Sequence, residues 1–200
     1  MADHYFSHQP QSKRSPQQWN CLLRGKEYTF TSDYGVFSKN DVDYGSKLLI
    51  DHFDEPCIEG EILDLGCGYG PIGITTADRF PARHVVMSDI NERAIELARK
   101  NAVLNQVLNV EMVTSDRLND MPSRRFASIL TNPPIRAGKQ VVHQMFEDSR
   151  NALLKKGQLW VVIQKKQGAP SAIDKLENLF DHVETTARSK GYYVLMAMNG

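Results

Sequence analysis

Three cysteines in 200 residues, Cys21, Cys57 and Cys67, are too few and too scattered for a disulfide framework. They form no Cys-x-x-Cys pair, so they read as reduced thiols of a cytoplasmic protein. The six histidines offer no His-x-His or His-x-x-x-His spacing. No metal site is expected, and His84 and His182 read as strand or loop residues. No apolar stretch approaches the ~18 residues of a membrane span, and Met1-Ala2-Asp3-His4 lacks the charged-then-apolar opening of a signal peptide. The 24 basic and 24 acidic residues cancel, so no global field advertises nucleic acid. What remains, 41% hydrophobic and 24% charged, is the composition of one ordinary globular domain with a sizeable core.

Residues 1–20 are polar and poor in aliphatics; they read as an N-terminal arm that Tyr5-Phe6 or Trp19 would tether, with the domain spanning 21–200. Leu22–Phe30 reads as a hairpin turning at Arg24-Gly25-Lys26, and Thr31–Asp43 as a loop. Asp43–Phe53 reads as a helix with Leu48, Leu49 and Ile50 inward. Strands near 61–65, 84–88, 110–113, 126–131 and 158–163 then interleave with helices near 71–80, 91–105, 139–154 and 170–180. Two strands near 182–188 and 191–198 close the chain around Lys190-Gly191. This alternation predicts an α/β, Rossmann-like, doubly wound sheet of seven strands in a single domain, mostly parallel with one antiparallel strand. It puts Asp64, Asp89, Asp116 and Asn132 at the carboxyl ends of four successive strands, where such sheets bind ligands.

The strand Glu61–Leu65 feeds Gly66-Cys67-Gly68-Tyr69-Gly70-Pro71-Ile72-Gly73, a turn into a helix whose glycines permit close approach of a ligand. Two cofactors compete for it. Gly68-x-Gly70-x-x-Gly73 is a literal dinucleotide fingerprint, and Asp89 follows at about the ~20-residue distance of a ribose-binding acid. That reading gives an NAD(P)-dependent oxidoreductase, but no Tyr-x-x-x-Lys pair is present to serve hydride chemistry. Asp64 favours S-adenosylmethionine: a carboxylate just before the glycines sits awkwardly beside a pyrophosphate, yet suits a cationic amino-acid moiety. Asp89 would then accept both ribose hydroxyls, Ile90 would cover an adenine face, and Asp116 would accept from the adenine amine. Asn91 reads as the cap of helix Glu92–Asn105, whose apolar face carries Ala94, Ile95, Leu97, Ala98, Ala102 and Leu104.

The strand Phe126–Leu130 ends in Asn132-Pro133-Pro134-Ile135. Asn-Pro is a common turn initiator, so an ordinary strand-ending turn is one reading. The other is chemical. An exocyclic or amide nitrogen is a poor nucleophile because its lone pair is delocalised. The Asn132 side-chain oxygen and the Pro133 carbonyl could bind both amine hydrogens and favour a pyramidal nitrogen. The prolines remove two backbone donors and leave a carbonyl-rich rim. Arg136 and Lys139 flank this turn and could hold phosphates, whereas the doublets Arg124-Arg125, Lys155-Lys156 and Lys165-Lys166 read as solvated faces.

On these residues the chain resembles the class I S-adenosylmethionine-dependent methyltransferases. Within them it is similar to the methyltransferase small domain group that includes the RsmC-type small-subunit (16S) ribosomal RNA guanine-N2 methyltransferases. Four stretches carry the likeness: Thr31–Ser38 with Gly35-Val36-Phe37-Ser38, Asp43–Leu49, Asp64–Gly73 and Asn132–Ile135. The resemblance implies Asp64, Gly66 and Gly68 about the methionine moiety, Asp89 on the ribose, Asp116 near adenine and Phe37 in the cofactor pocket wall. It puts Asn132, Pro133 and Pro134 at the target amine. Ile135 departs from the aromatic residue that many amine methyltransferases carry there for stacking; it leaves apolar contact and makes Tyr34, Phe37 or Tyr69 the candidate stacking partners. RNA, as ribosomal RNA or a subunit particle, is the implied partner. The second, N-terminal domain of fuller RsmC-type enzymes is missing, so a weak grip on free RNA is expected, which a particle or a homodimer would complete. Adenine in RNA and a protein glutamine amide share the Asn-Pro-Pro device and are the alternative substrates.

Overall fold

Gln17–Leu23 (β1) and Lys26–Ser32 (β2) pair antiparallel about Arg24-Gly25, both in the left-handed region (φ 49° and 80°), as a type I′ hairpin turn requires. The structure, a computed structural model, describes residues 15–36 and 41–200. The 20/21 boundary expected for a polar arm therefore falls inside β1. Its Gln17–Asn20 stretch pairs with Thr29–Ser32, and the Trp19 ring packs 5.7 Å from Phe30 and 6.0 Å from Tyr69. Tyr5 and Phe6 lie outside the described residues.

The remaining elements are α1 (Tyr44–His52), β3 (Glu61–Leu65), α2 (Pro71–Arg79), β4 (Val85–Asp89), α3 (Glu92–Leu104), β5 (Val110–Thr114) and β6 (Phe126–Thr131). They are followed by α4 (Lys139–Ala152), β7 (Leu153–Gln164), α5 (Ala169–Leu179), β8 (His182–Ser189) and β9 (Tyr192–Met198). Seven strands form one sheet in the order β5-β4-β3-β6-β7-β9-β8, all parallel except β9, which runs antiparallel to both neighbours. This is the fold the sequence predicts. The period-two alternation of the strands supplies two cores. Ile62, Met87, Leu130 and Val162 face α1, α2, α3 and the hairpin, while Leu63, Val86, Ile129 and Val161 face α4 and α5.

Helix starts follow local chemistry. Asp43 caps α1, accepting from Ser46 N–H at 3.2 Å; Pro71 occupies the first turn of α2; Asn91 Oδ1 caps α3 through the N–H groups of Arg93 and Ala94. One expectation for α3 fails. Leu104 is 39% exposed, and the hairpin instead meets Asn101 and Asn105, two positions one turn apart. In a two-stranded ladder every second residue of β2 turns its N–H and C=O away from β1. Asn101 pairs with both groups of Thr31 (2.7 and 2.9 Å) and Asn105 with both groups of Thr29 (2.9 and 2.8 Å). Two side-chain amides thus serve the hairpin as a third strand would.

At the amino-terminal ends of the parallel strands, Glu61, His84 and Glu111 bring ligand-type atoms within 4.8 Å of one another. Arg124 fills the cationic place among them, with Nη2 2.9 Å from Glu61 and 2.7 Å from Glu111. Burial works against the Glu61 charge, but hydrogen bonds from Arg124 and His84 outweigh it and hold that carboxyl below its usual range.

Asn101 is fully buried, and its Nδ2 also donates to Tyr69 O at 2.8 Å, so truncation strands three backbone groups. At roughly 1–3 kcal/mol for each unsatisfied buried group, Asn101→Leu should destabilise the chain by at least about 3 kcal/mol. Urea unfolding followed by circular dichroism measures this; a midpoint unchanged from wild type would show that water replaces the amide at no cost.

Candidate functional site

The chain runs outward from β3 through β4 to β5, then returns to the other side of β3 as β6. In open α/β sheets ligands bind where that order reverses, beyond the carboxyl ends of the strands. A cleft of about 340 Å³ lies there. The glycine turn after β3 forms one wall and Asn132-Pro133-Pro134 after β6 another, while Asp89, Ile90 and Asp116 close the side beyond β4 and β5. The hydroxyl of Thr131 donates to Leu65 O at 2.8 Å and fixes the two strand ends together.

The glycines divide into two pairs. Gly66 and Gly68 are left-handed (φ 78° and 58°) and line the cleft, and a Cβ on either would stand in open space. They give a ligand room against the backbone. Gly70 and Gly73 serve packing: a Cβ on either would come within 2.7 Å of Met87 on β4.

Asp64 is not on the cleft wall. It is 1% exposed beneath the glycine turn, where its Oδ2 accepts the Gly73 N–H at 2.8 Å and its Oδ1 has no partner among the described residues. Burial pushes its pKa up to about 7, the Gly73 bond opposing and the Asp89 charge adding. The first turn of α2 therefore already donates to a carboxyl of the protein's own, at the place a dinucleotide's pyrophosphate would need. Asp89 accepts from Gly68 N–H through Oδ2 and from Asn91 N–H through Oδ1, both at 2.9 Å. Burial raises it to about 6 against those bonds. A third backbone bond, from Ile90 N–H, takes one more of the four lone pairs and leaves one for a ribose hydroxyl. Asp116 stands at the rim, 3.4 Å from the Arg117 guanidinium.

Asn132 is held by residues far away in sequence. Its Nδ2 donates to Ser46 Oγ at 3.0 Å and to the Asp43 carboxylate at 3.2 and 3.3 Å. A carboxylate can only accept, so the amide nitrogen must face Asp43 and the amide oxygen must face away. That Oδ1 and the Pro133 carbonyl have no partner among the described residues, whereas the Pro134 carbonyl is taken by Ala137 N–H at 2.8 Å. The site thus offers two free oxygens and no donor from its prolines, beside a glycine-floored cleft.

Residues 27–196 match the methyltransferase small domain family. The chain belongs to that family. It is 57% identical over 198 residues to a Bacillus subtilis (strain 168) protein described as "Uncharacterized protein YbxB", covering 98% of both chains. Among solved structures it is similar to the Thermus thermophilus 16S rRNA N2 G1207 methyltransferase (RsmC), in complex with AdoMet and guanosine. The TM-score is 0.82 at 25% identity, covering 96% of this chain and 52% of that one, so the present chain spans about half its length. A methyltransferase from Pyrococcus furiosus shares the fold with a TM-score of 0.67 at 18% identity, over 84% of this chain and 90% of that one. The cofactor of this small-domain methyltransferase is S-adenosylmethionine. The open glycine floor, the remaining lone pair of Asp89 and the unpartnered Asp64 oxygen fit a cationic nucleoside of that kind.

The cleft brings together Gly66, Gly68, Asp89, Ile90 and Asp116 with Asn132, Pro133 and Pro134. Phe37 lies outside the described residues. Ile135 and Lys139 turn away and line a separate groove, and Arg136 is exposed outside both hollows. Tyr69 touches the cleft but is 2% exposed, its ring packed edge-on against Trp19 and Phe30. Asp43 and Ser46 are the site residues that sequence reasoning missed. The capping role of Asp43 was readable, but its contact 89 residues away was not.

Both raised acids set a pH dependence. Each holds its proton in the folded state at pH values where the unfolded chain, near 4, has lost it, so their favourable contribution to stability fades as pH rises through about 6 and 7. A cationic cofactor favours the charged carboxylates, so its affinity should climb between pH 5 and 7.5 and binding at pH 6 should release protons. Calorimetry in two buffers of different ionisation enthalpy reads that release; zero release would remove both acids from the cofactor's field.

Proposed function

We propose that this methyltransferase acts on an exocyclic amine of an RNA base, guanine N2 of small-subunit ribosomal RNA being the favoured target. One observation carries the reading: the Asn132 amide is pinned through its nitrogen by Asp43 and Ser46, leaving Oδ1 and the Pro133 carbonyl as paired free acceptors. The likeness to the guanine-N2 enzyme over 96% of the chain supports the choice of base.

S-adenosylmethionine supplies a methyl group made electrophilic by a sulfonium. The chain's own share is to make the amine a nucleophile. Two acceptors on its two hydrogens favour a pyramidal nitrogen whose lone pair is directed rather than delocalised. The amine is neutral, so no strong base is needed before attack, and its surplus proton leaves afterwards to solvent. Positioning is the main contribution, worth roughly 7–11 kcal/mol for well-oriented reactants. A base stacked inside a helix cannot reach such a cleft, so the substrate nucleotide is flipped or single-stranded.

Asn132→Ala should cut kcat by roughly 10²-fold, since the lost acceptor misplaces the amine, with cofactor affinity within about twofold of wild type. Asp43→Asn separates orientation from capping. Asn caps a helix as well as Asp does, but it lets the Asn132 amide face either way, so kcat should fall about tenfold with the melting temperature unchanged. Equal kcat in wild type and both variants would take Asn132 out of the chemistry.

The deciding experiment is nucleoside mass spectrometry of small-subunit ribosomal RNA from a deletion strain and its parent. Loss of N2-methylguanosine at one site, restored by wild type and not by Asn132→Ala, is the expected result. An unchanged profile, with methyl transfer to protein instead, would replace the RNA base by a glutamine amide.

A further inference from the structure

Pro134 lines the cofactor cleft and Ile135, the next residue, lines a second groove of about 210 Å³ between α4 and α5. The two hollows share one wall, two residues thick. The groove's floor is apolar, from Ile135, Val142, Ile163 and Ala172, and one edge is polar, where Ser171 Oγ lies 3.3 Å from His143 Nε2 beside Gln167. Flat apolar faces with a few fixed polar groups are what an unstacked base requires.

The rim is cationic on both sides. Lys139 lines one bank, with Arg136 next in the chain to lining residue Ile135, and Lys165 and Lys166 lie in the turn between lining residues Ile163 and Gln167 on the other; all four are exposed. None of the four has an ion-pair partner among the described residues, and no carboxylate lines the groove. Of the acids on the neighbouring helices, Glu147 pairs with Lys175 and Asp148 with Arg117, while Asp174 and Glu177 stand exposed on α5 and line no part of the groove. Burial, with the charges of Lys139 and Lys175, lowers the His143 pKa, so the groove's charge comes from its rim rather than from its imidazole. In a chain whose net charge is zero, four unopposed cations around one hollow are a local feature aimed at an anion.

We propose that this groove receives the nucleotide adjacent to the target in a single-stranded RNA, its base on the apolar floor and its phosphates between the two cationic banks. The proposal rests on the RNA reading above and extends it from one base to a strand crossing the Pro134–Ile135 wall.

The test is fluorescence anisotropy of a short, labelled single-stranded RNA of mixed sequence, titrated at several salt concentrations. Lys165→Glu/Lys166→Glu should weaken binding at low salt by about tenfold and lower the salt slope by about 1.4, at roughly 0.7 per phosphate contact on single strands. Ser171→Trp, which fills the groove without removing a cation, should weaken binding several-fold and leave the slope unchanged. Calorimetric cofactor affinity equal to wild type certifies the fold of each variant. Methyl transfer from labelled cofactor to small-subunit ribosomal RNA, both protein-free and in the assembled subunit, separates the two levels of inference. If wild type methylates RNA while both variants bind it with wild-type affinity and slope, the groove assignment falls alone. If wild type neither binds nor methylates RNA, the reading and the groove fall together.

Discussion

A single buried amide ties three parts of the molecule together. Asn101 accepts from Thr31 N–H, donates to Thr31 C=O and donates to Tyr69 C=O, all within 2.9 Å, inside a region closed to water. Thr31 belongs to the N-terminal hairpin, Asn101 to α3, and Tyr69 to the glycine turn. A two-stranded hairpin is marginal alone, and this one is kept by borrowing side-chain amides as its third strand. Because the same amide holds the turn carrying Gly66 and Gly68, the cleft floor inherits its rigidity from the hairpin docking. Asn91 and Arg93 extend the clasp along the helix, donating to the carbonyls of Gly35 and Tyr34 at 2.9 and 2.6 Å.

The same device recurs where chemistry is expected. Asn132 ends β6, while Asp43 and Ser46 begin α1, and the bonds between them close the cleft on the side the sheet leaves open. An amide has two faces of opposite polarity, and an acceptor-only partner chooses between them without costing a backbone rearrangement. One carboxylate therefore caps a helix, ties that helix to the sheet and decides which atom of Asn132 meets the substrate.

The alternation of strands and helices, the single antiparallel strand and the helix cap at Asn91 were legible in the sequence because they depend on local periodicity and local chemistry. The residues that escaped are those whose role is tertiary. Asn101 sits among apolar neighbours and carries no periodic signal, since its partners are backbone groups 32 and 70 residues away. Leu104 fits the apolar face by spacing yet stands outside it, because the hairpin lies against the Asn101–Asn105 side of the helix. Ile135 follows two prolines into a short 3₁₀ turn, and that rotation carries it out of the cleft. Beads of charge such as Lys165-Lys166 look solvated in a linear reading; only the fold sets them opposite Arg136 and Lys139.

The choice between the two cofactors turned on an atom that sequence spacing could name but not place. Both families of site use glycines and a later acid, so Gly68-x-Gly70-x-x-Gly73 with Asp89 fits either. What differs is who supplies the negative charge at the first turn of the following helix. In a dinucleotide site the ligand's phosphates do so. Here Asp64 does, through its bond to Gly73 N–H, and a Cβ on Gly73 would meet that same carboxylate at 3.0 Å. The third glycine is thus kept bare by Met87 and by the protein's own carboxyl rather than by a bound anion. With Gly73 N–H taken by Asp64 and a second acid, Asp89, beside it, the cleft favours a cation, whose charge draws both acids toward their ionised form. Positive charge on the ligand is a consequence of that arrangement, and a sulfonium cofactor satisfies it where a pyrophosphate would not.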